Sequence, residues 1–88
     1  MNITEVRVKL HTSDDGKLKG FASMTIENSF VVHDIRIREG EAGLYIVMPS
    51  RRAPDGRFKD ICHPLNNDAR KTIEHEVLGA YQRELGNF

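Results

Sequence analysis

Residues 46–64, IVMPSRRAPDGRFKDICHP, pass from an apolar run into a cationic segment, turn at proline, aspartate and glycine, and return through a second short strand. Between Ser50 and Lys59 four cations stand against one anion, a net charge of 4 − 1 = +3. The whole chain has 13 cations and 13 anions among 88 residues. Positive charge is therefore concentrated in this stretch, which predicts an anion-binding hairpin. Its cations are Arg51, Arg52, Arg57 and Lys59.

The tip of this hairpin, residues 53–56, reads Ala-Pro-Asp-Gly. Proline at the second position and glycine at the fourth are typical of a type I turn that opens a bulged hairpin. This turn predicts that Arg52 and Arg57 lie nearly opposite one another, where like charges destabilise a sheet. Such a pair is tolerated in open solvent or retained because an anion binds between the two side chains. The alternative is a charged tip that only deters aggregation at the sheet edge.

The strand that enters the hairpin, residues 44–48, is apolar on both faces. Leu44, Ile46 and Met48 alternate with Tyr45, Val47 and Pro49. A strand with two apolar faces needs cover on both sides. Because the sequence predicts one helix, the second cover has to come from curvature of the sheet or from a partner chain. We therefore expect a homodimer.

Outward from this strand, alternating apolar and polar residues predict further strands. The predicted ranges are 2–10, 18–27, 30–38 and, after the hairpin tip, 58–62. In the third of the five strands, one face is expected to carry Val31, His33, Ile35 and Ile37. Pro64 ends the last strand, because proline lacks the backbone N–H donor.

A helix is predicted from a cap at Asn66 or Asn67 to about Leu85. Its apolar stripe has the spacing of one helix face and consists of Ala69, Ile73, Val77, Ala80 and Tyr81. The predicted fold is one α+β domain over residues 1–88, a mainly antiparallel sheet of about five strands followed by one C-terminal helix packed on the sheet.

Two cations, Arg70 and Lys71, lie near the start of this helix, where the positive end of the helix dipole disfavours them. They could hold phosphate together with the free backbone N–H groups of the first turn. The alternative is an exposed ion pair between Arg70 and Glu74, four residues apart. On this spacing alone the ion pair is the stronger prediction.

Composition excludes several classes of function. The near-neutral isoelectric point of about 6.9 argues against a globally basic, histone-like polyanion binder. One cysteine, Cys62, suits a reducing compartment, and with no apolar run of membrane-spanning length and no signal segment we expect a cytoplasmic protein.

Catalytic and metal-binding motifs are weak. His33 and Asp34 are neighbours in a strand, which places their side chains on opposite faces and predicts a core or interface histidine. Cys62 and His63 lack a second ligand pair, so Cys62 is interpreted as a small core residue. We expect no enzyme activity, no cofactor, no metal and no small-molecule substrate.

Specific segments of the chain closely resemble the stage V sporulation protein G (SpoVG) family of bacteria. The resemblance spans Ile3 to about Tyr81 and is carried by FVVHDIR at 30–36, GLYIVMPSRRAPDGRFKDI at 43–61, HPLN at 63–66 and the helix pattern Ala69-Arg70-Lys71-x-Ile73 with Val77, Leu78 and Tyr81. Three features depart from the family pattern, namely Cys62, the Asn-Asp-Ala opening of the helix and the tail after Tyr81.

The resemblance implies a small homodimeric protein linked to septation and sporulation that binds nucleic acid, DNA or RNA, and regulates gene expression. In that family the basic pair after Met-Pro-Ser and the nearby helix are implicated in DNA contact. Here these correspond to Arg51 and Arg52, and to Arg70 and Lys71. The competing expectation is a protein-interaction module of the division machinery whose basic tip binds an acidic partner.

Overall fold

The computed structural model describes residues 1–86, in which six strands precede one helix. The elements are β1 (Ile3–Leu10), β2 (Leu18–Ile26), β3 (Phe30–Gly40), β4 (Gly43–Val47), β5 (Ser50–Arg52), β6 (Phe58–Asp60) and α1 (Asn67–Leu85). Strands β1 to β4 form one antiparallel sheet in that order, and β5 pairs with β6 in a separate two-stranded ribbon. The predicted α+β class is confirmed. The predicted fifth strand lies in the ribbon, however, and not in the main sheet.

The core lies between one face of the four-stranded sheet and the helix, which packs mainly on β1 and β4. The most deeply buried large side chains are Met24, Ile35, Ile37 and Val77. Removing a side chain of this size from water stabilises the fold by roughly 1.5–3 kcal/mol. The predicted apolar stripe of the helix is confirmed, with four positions buried and Ala69 half-buried.

Strand β3 contains a bulge that changes which residues face the core. Ala22 pairs with Ile35 and Met24 pairs with Val32, so the register between β2 and β3 shifts by one residue. Asp34 takes a φ of 62° at this irregularity, which a short polar side chain tolerates better than a β-branched one. The extra residue shifts the alternation, and Val32 is therefore buried together with Ile35.

The prediction of which β3 residues share one face was therefore wrong for the first half of the strand. Val31 and His33 are exposed, whereas Ile35 and Ile37 lie in the core as predicted. His33 is consequently not a core histidine, and its neighbour Asp34 is exposed as well.

Strand β4 has the two apolar faces that its sequence predicts. Ile46 is buried against the helix layer, as is Met48 just after the strand. On the opposite face Tyr45 is 42% exposed, and Val47 is half-buried. One face of β4 is therefore covered within the chain, while the outer face keeps exposed aromatic surface.

The helix begins where the sequence predicts. Asn66 is the N-cap, and its Oδ1 accepts a hydrogen bond of 2.8 Å from the backbone N–H of Ala69. This bond satisfies one of the free donors of the first turn. At the other end Gly86 is the C-cap, and its N–H donates to the carbonyls of Gln82 and Arg83.

Candidate nucleic-acid interface

Residues 50–60 form the basic hairpin, which is closed by the predicted turn. The N–H of Gly56 donates to the carbonyl of Ala53 at 2.9 Å, and the N–H of Ala53 donates to the carbonyl of Arg57 at 2.7 Å. Gly56 has a φ of 87°, as the bulged form of this hairpin requires. Asp55 completes the turn, because its Oδ1 accepts a 3.0 Å hydrogen bond from the N–H of Arg57.

The register of the ribbon differs from the predicted one. Arg51 lies opposite Lys59, and Arg52 lies opposite Phe58. The prediction that Arg52 faces Arg57 was wrong, because the residue at the bulge shifts the second strand by one position and pairs Arg57 with Ala53. Two cations nevertheless face each other across the ribbon. The like-charged pair is Arg51 and Lys59.

All four cations of the basic hairpin are exposed. Among the ion pairs formed within residues 1–86, none involves a residue of the hairpin. Of the two carboxylates in residues 50–60, Asp55 already accepts a backbone hydrogen bond and Asp60 ends β6, so the hairpin has a net charge of 4 − 2 = +2. The hairpin therefore presents positive charge that a phosphate-bearing partner could neutralise.

The two cations at the start of the helix have different surroundings. The Arg70 Nη1 lies 3.6 Å from the Glu74 Oε1, so the ion pair expected from their spacing is present. Lys71 is exposed and takes part in none of the ion pairs of residues 1–86. Arg70 is thus partly neutralised by its own helix, while Lys71 keeps its full charge for a partner.

A further cation, Arg36, lies near the base of the basic hairpin. It faces away from the core between Phe21 on β2 and Val47 on β4. A shallow cavity of about 170 Å³ connects this part of the sheet to the start of the ribbon. Its lining consists of Phe21, Asp34, Arg36, Pro49, Ser50 and Ile61.

Sequence reasoning missed Arg36, although a signal was present. Ile35 and Ile37 alternate with Arg36 and Arg38, so the two arginines had to share the face opposite the core. Arg7 and Lys9 of β1 share this outer face as well and line a neighbouring surface pocket, but Arg7 forms an ion pair with Glu5 at 3.2 Å. Next to the hairpin this face therefore carries the cation Arg36 together with the carboxylate of Asp34.

His33 and Asp34 both line the surface pocket beside Lys9, whereas Cys62 and His63 line the groove at the start of the helix. Cys62 is half-buried beside the core, and burial, followed by the nearby Asp60 carboxylate, raises the pKa of its thiol. Within residues 1–86 no three side chains of the His, Cys, Asp and Glu types come together as a metal site would require. In the same residues no helix is both long and apolar enough to cross a membrane.

Comparison with known proteins gives a consistent result along nearly the whole chain. The family model described as SpoVG matches residues 1–83. A protein of Clostridium beijerinckii named "Putative septation protein SpoVG" is 53% identical over 85 residues, which cover 97% of this chain and 92% of that protein. A protein of Acholeplasma laidlawii with the same name is 52% identical over 85 residues, covering 97% of this chain and 89% of its own length.

Proposed function

Because the chain belongs to the SpoVG family, we propose that it is a nucleic-acid-binding regulator with a role in septation or sporulation. Its relatives carry the name of a septation protein. In this proposal the basic hairpin binds the phosphates of DNA or RNA, and the protein acts in the cytoplasm without a catalytic step.

One observation carries the proposal: four exposed cations lie on one short hairpin of a chain with zero net charge. Arg51 and Lys59 even lie directly opposite each other. Such a pair costs stability unless solvent or a bound anion separates the charges. A polyanion removes that repulsion and gains bidentate contacts from the arginines.

Other cations would extend the contact. Lys71 is free of an ion pair within residues 1–86, and Arg36 lies beside the base of the hairpin. Arg70 would contribute less, because Glu74 competes for its guanidinium. We assign the main phosphate contacts to Arg51, Arg52, Arg57 and Lys59, with Arg70 and Lys71 as secondary contacts.

A homodimer is part of the proposal. Tyr45 on the outer face of β4, an edge strand of the main sheet, is partly exposed. A second copy would cover apolar surface of this kind. It would also place two basic hairpins on one particle, so that two weak phosphate contacts reinforce each other. Sedimentation at micromolar concentration is expected to give twice the monomer mass. If only monomer is observed, the homodimer hypothesis is wrong.

A protein-interaction module is the second candidate, and a specific observation favours it. A groove of about 350 Å³ lies between the sheet and the start of the helix, lined mostly by apolar side chains. Phe30 and Leu65 at this groove are 65% and 89% exposed. Exposed apolar surface of this kind often binds another protein.

Nucleic-acid binding against salt concentration separates the two candidates. For the parent, log affinity should fall linearly with log salt. The double substitution Arg51→Ala/Arg52→Ala removes two contacts and should make the slope shallower by about 1.8 on duplex DNA. A matched control, Lys17→Ala/Arg83→Ala, removes the same charge from the β1–β2 turn and the helix end.

The control should keep the parent slope. If the parent binds neither DNA nor RNA at low salt, the proposal is wrong and the protein-interaction module becomes the leading candidate. Equal changes in the two double variants would mean that overall charge, and not the hairpin, determines binding.

A further inference from the structure

Phe58 on the basic hairpin is a large aromatic side chain that is 72% exposed. Within residues 1–86 the aromatic contact present joins His11 and Phe21, so the ring of Phe58 has no aromatic or cationic partner there. Leaving such a side chain in water forgoes the stabilisation that burial would provide. This surface is therefore available to a binding partner.

The ribbon places Phe58 beside a cation. Arg52 and Phe58 are directly opposite in the register, which puts both side chains on one face of the ribbon. The like-charged pair Arg51 and Lys59 occupies the other face. One face thus offers an aromatic ring next to a guanidinium, and the other offers positive charge alone.

Charge decides what kind of partner this arrangement fits. Arg52 lies opposite Phe58 on the same face of the ribbon, and the neighbouring strand residue Lys59 adds positive charge on the other face. A partner that offers a flat π surface within a few ångströms of phosphate groups satisfies both features. Nucleic acid has this chemistry, and proteins that bind single strands combine aromatic stacking with cationic contacts to the backbone.

The strandedness of the partner follows from the same geometry. In a duplex each base is already stacked between its neighbours, so an aromatic side chain reaches a ring face only by separating a base step. In a single strand the bases are free to stack on a protein side chain. The exposed ring therefore favours a single strand over an intact duplex.

We propose that the basic hairpin binds single-stranded nucleic acid by stacking a base on Phe58 while Arg52, on the same face of the ribbon, holds an adjacent phosphate. This inference rests on the proposed nucleic-acid function and adds to it the strandedness of the ligand and the residue that determines it. RNA and DNA share the required chemistry, so the test compares single strands of both types.

The chain contains no tryptophan, which makes Phe58→Trp a specific fluorescent probe. Four ligands of about 12 nucleotides are compared: oligo-U RNA, oligo-dT DNA, an abasic DNA strand with phosphates but no bases, and a mixed-sequence duplex. Stacking should quench the emission of the introduced indole with oligo-U and oligo-dT. The abasic strand and the duplex should quench it little at equal occupancy.

Affinity measurements that compare the parent, which carries Phe58, with variants at this position complete the test. Phe58→Ala should weaken binding of oligo-U or oligo-dT roughly 5- to 150-fold, and Phe58→Tyr should retain most of the affinity. Neither variant should change the slope against salt, because no charge is removed. Leu85→Ala, which removes an exposed apolar side chain at the end of the helix, is the matched control.

The outcomes separate this inference from the proposed function. The stacking inference is wrong if the Phe58→Ala variant binds all four ligands with the affinity of the parent. It is also wrong if the substitution weakens binding of the abasic strand and of oligo-dT equally. In both cases the proposal of phosphate binding stands. Equal quenching by the duplex would overturn the single-strand preference. If the parent binds none of the four, both the function and the inference fall. Tighter complexes with oligo-U and oligo-dT than with the abasic strand and the duplex would support the inference.

Discussion

Arg51 lies directly opposite Lys59 on the two strands of the basic hairpin, and neither takes part in an ion pair within residues 1–86. Two exposed cations in this position repel each other in the free protein. The hairpin therefore carries a local instability that binding of an anion would relieve. Stability and affinity should respond in opposite directions when this pair is changed.

Lys59→Glu should stabilise the hairpin and weaken nucleic-acid binding. An opposite-charge pair replaces a like-charge pair, a change of about 0.2–1 kcal/mol. The amide of Ala53, which donates to Arg57 across the hairpin, should then exchange its hydrogen up to about fivefold more slowly. Lys59→Gln is the control for charge loss without a new pair. Unchanged affinity in both variants would exclude Lys59 from the phosphate contact.

Gly79→Ala should stabilise the protein by up to about 1 kcal/mol, because glycine is a poor residue inside a helix. A Cβ built at this position meets the flexible guanidinium of Arg83 at 3.5 Å and nothing closer. Denaturant unfolding should therefore show a higher midpoint with an unchanged slope. A lower midpoint would indicate that another chain approaches the helix at this glycine.

Gly20→Ala is the matched opposite case on β2. Here a Cβ would lie 2.9 Å from the backbone carbonyl oxygen of Lys9, and backbone in a paired strand has little room to move. The same unfolding measurement should show a lower midpoint, with a loss of about 1–3 kcal/mol as for other overpacked sites. An unchanged midpoint would mean that β1 moves away from the added methyl group without loss of folding free energy.

Asn66→Ala should cost about 1 kcal/mol of stability, because the side chain of Asn66 caps the helix through the N–H of Ala69. Asn66→Asp keeps the acceptor and should restore the parent value, since an anion is also favoured at this end of the helix. Asn67→Ala, one residue further on, is the control and should have little effect in thermal unfolding. Equal losses at both positions would argue against a specific cap.

Cys62 should react slowly with iodoacetamide near neutral pH. Burial and the Asp60 carboxylate both raise the pKa of the thiol, so less thiolate is present than in an ordinary cysteine. The pH midpoint of alkylation should lie above that of the same chain unfolded in denaturant, and Asp60→Asn should lower it. Because the folded pKa is the higher one, the protein should lose stability as the pH rises from the ordinary thiol pKa to the raised one.

Local sequence predicted those features that neighbouring residues decide. The turn at residues 53–56 formed as expected, because proline and glycine restrict its backbone directly. The cap at Asn66 and the apolar stripe of the helix also agree, since both depend on contacts within a few turns or on a 3.6-residue period. The ion pair between Arg70 and Glu74 follows from the same spacing.

Predictions that needed strand register were less successful. The extra residue near Asp34 reverses the alternation in β3, so the pattern that placed Val31 and His33 in the core was wrong. The bulge at the hairpin tip likewise moved the facing cations from Arg52 and Arg57 to Arg51 and Lys59. A single residue inserted in one strand turns the residues beyond it to the other face.

The sequence by itself determined the element types, the concentration of positive charge in residues 50–59 and the α+β class, because these depend on local conformation and composition. Only the tertiary structure decided that the ribbon lies apart from the main sheet, that Arg36 lies at its base and that Phe58 is exposed. These relationships arise from strand pairing between distant residues. The strand register is determined by which face of each strand is buried in the core, and the spacing of neighbouring residues does not specify it.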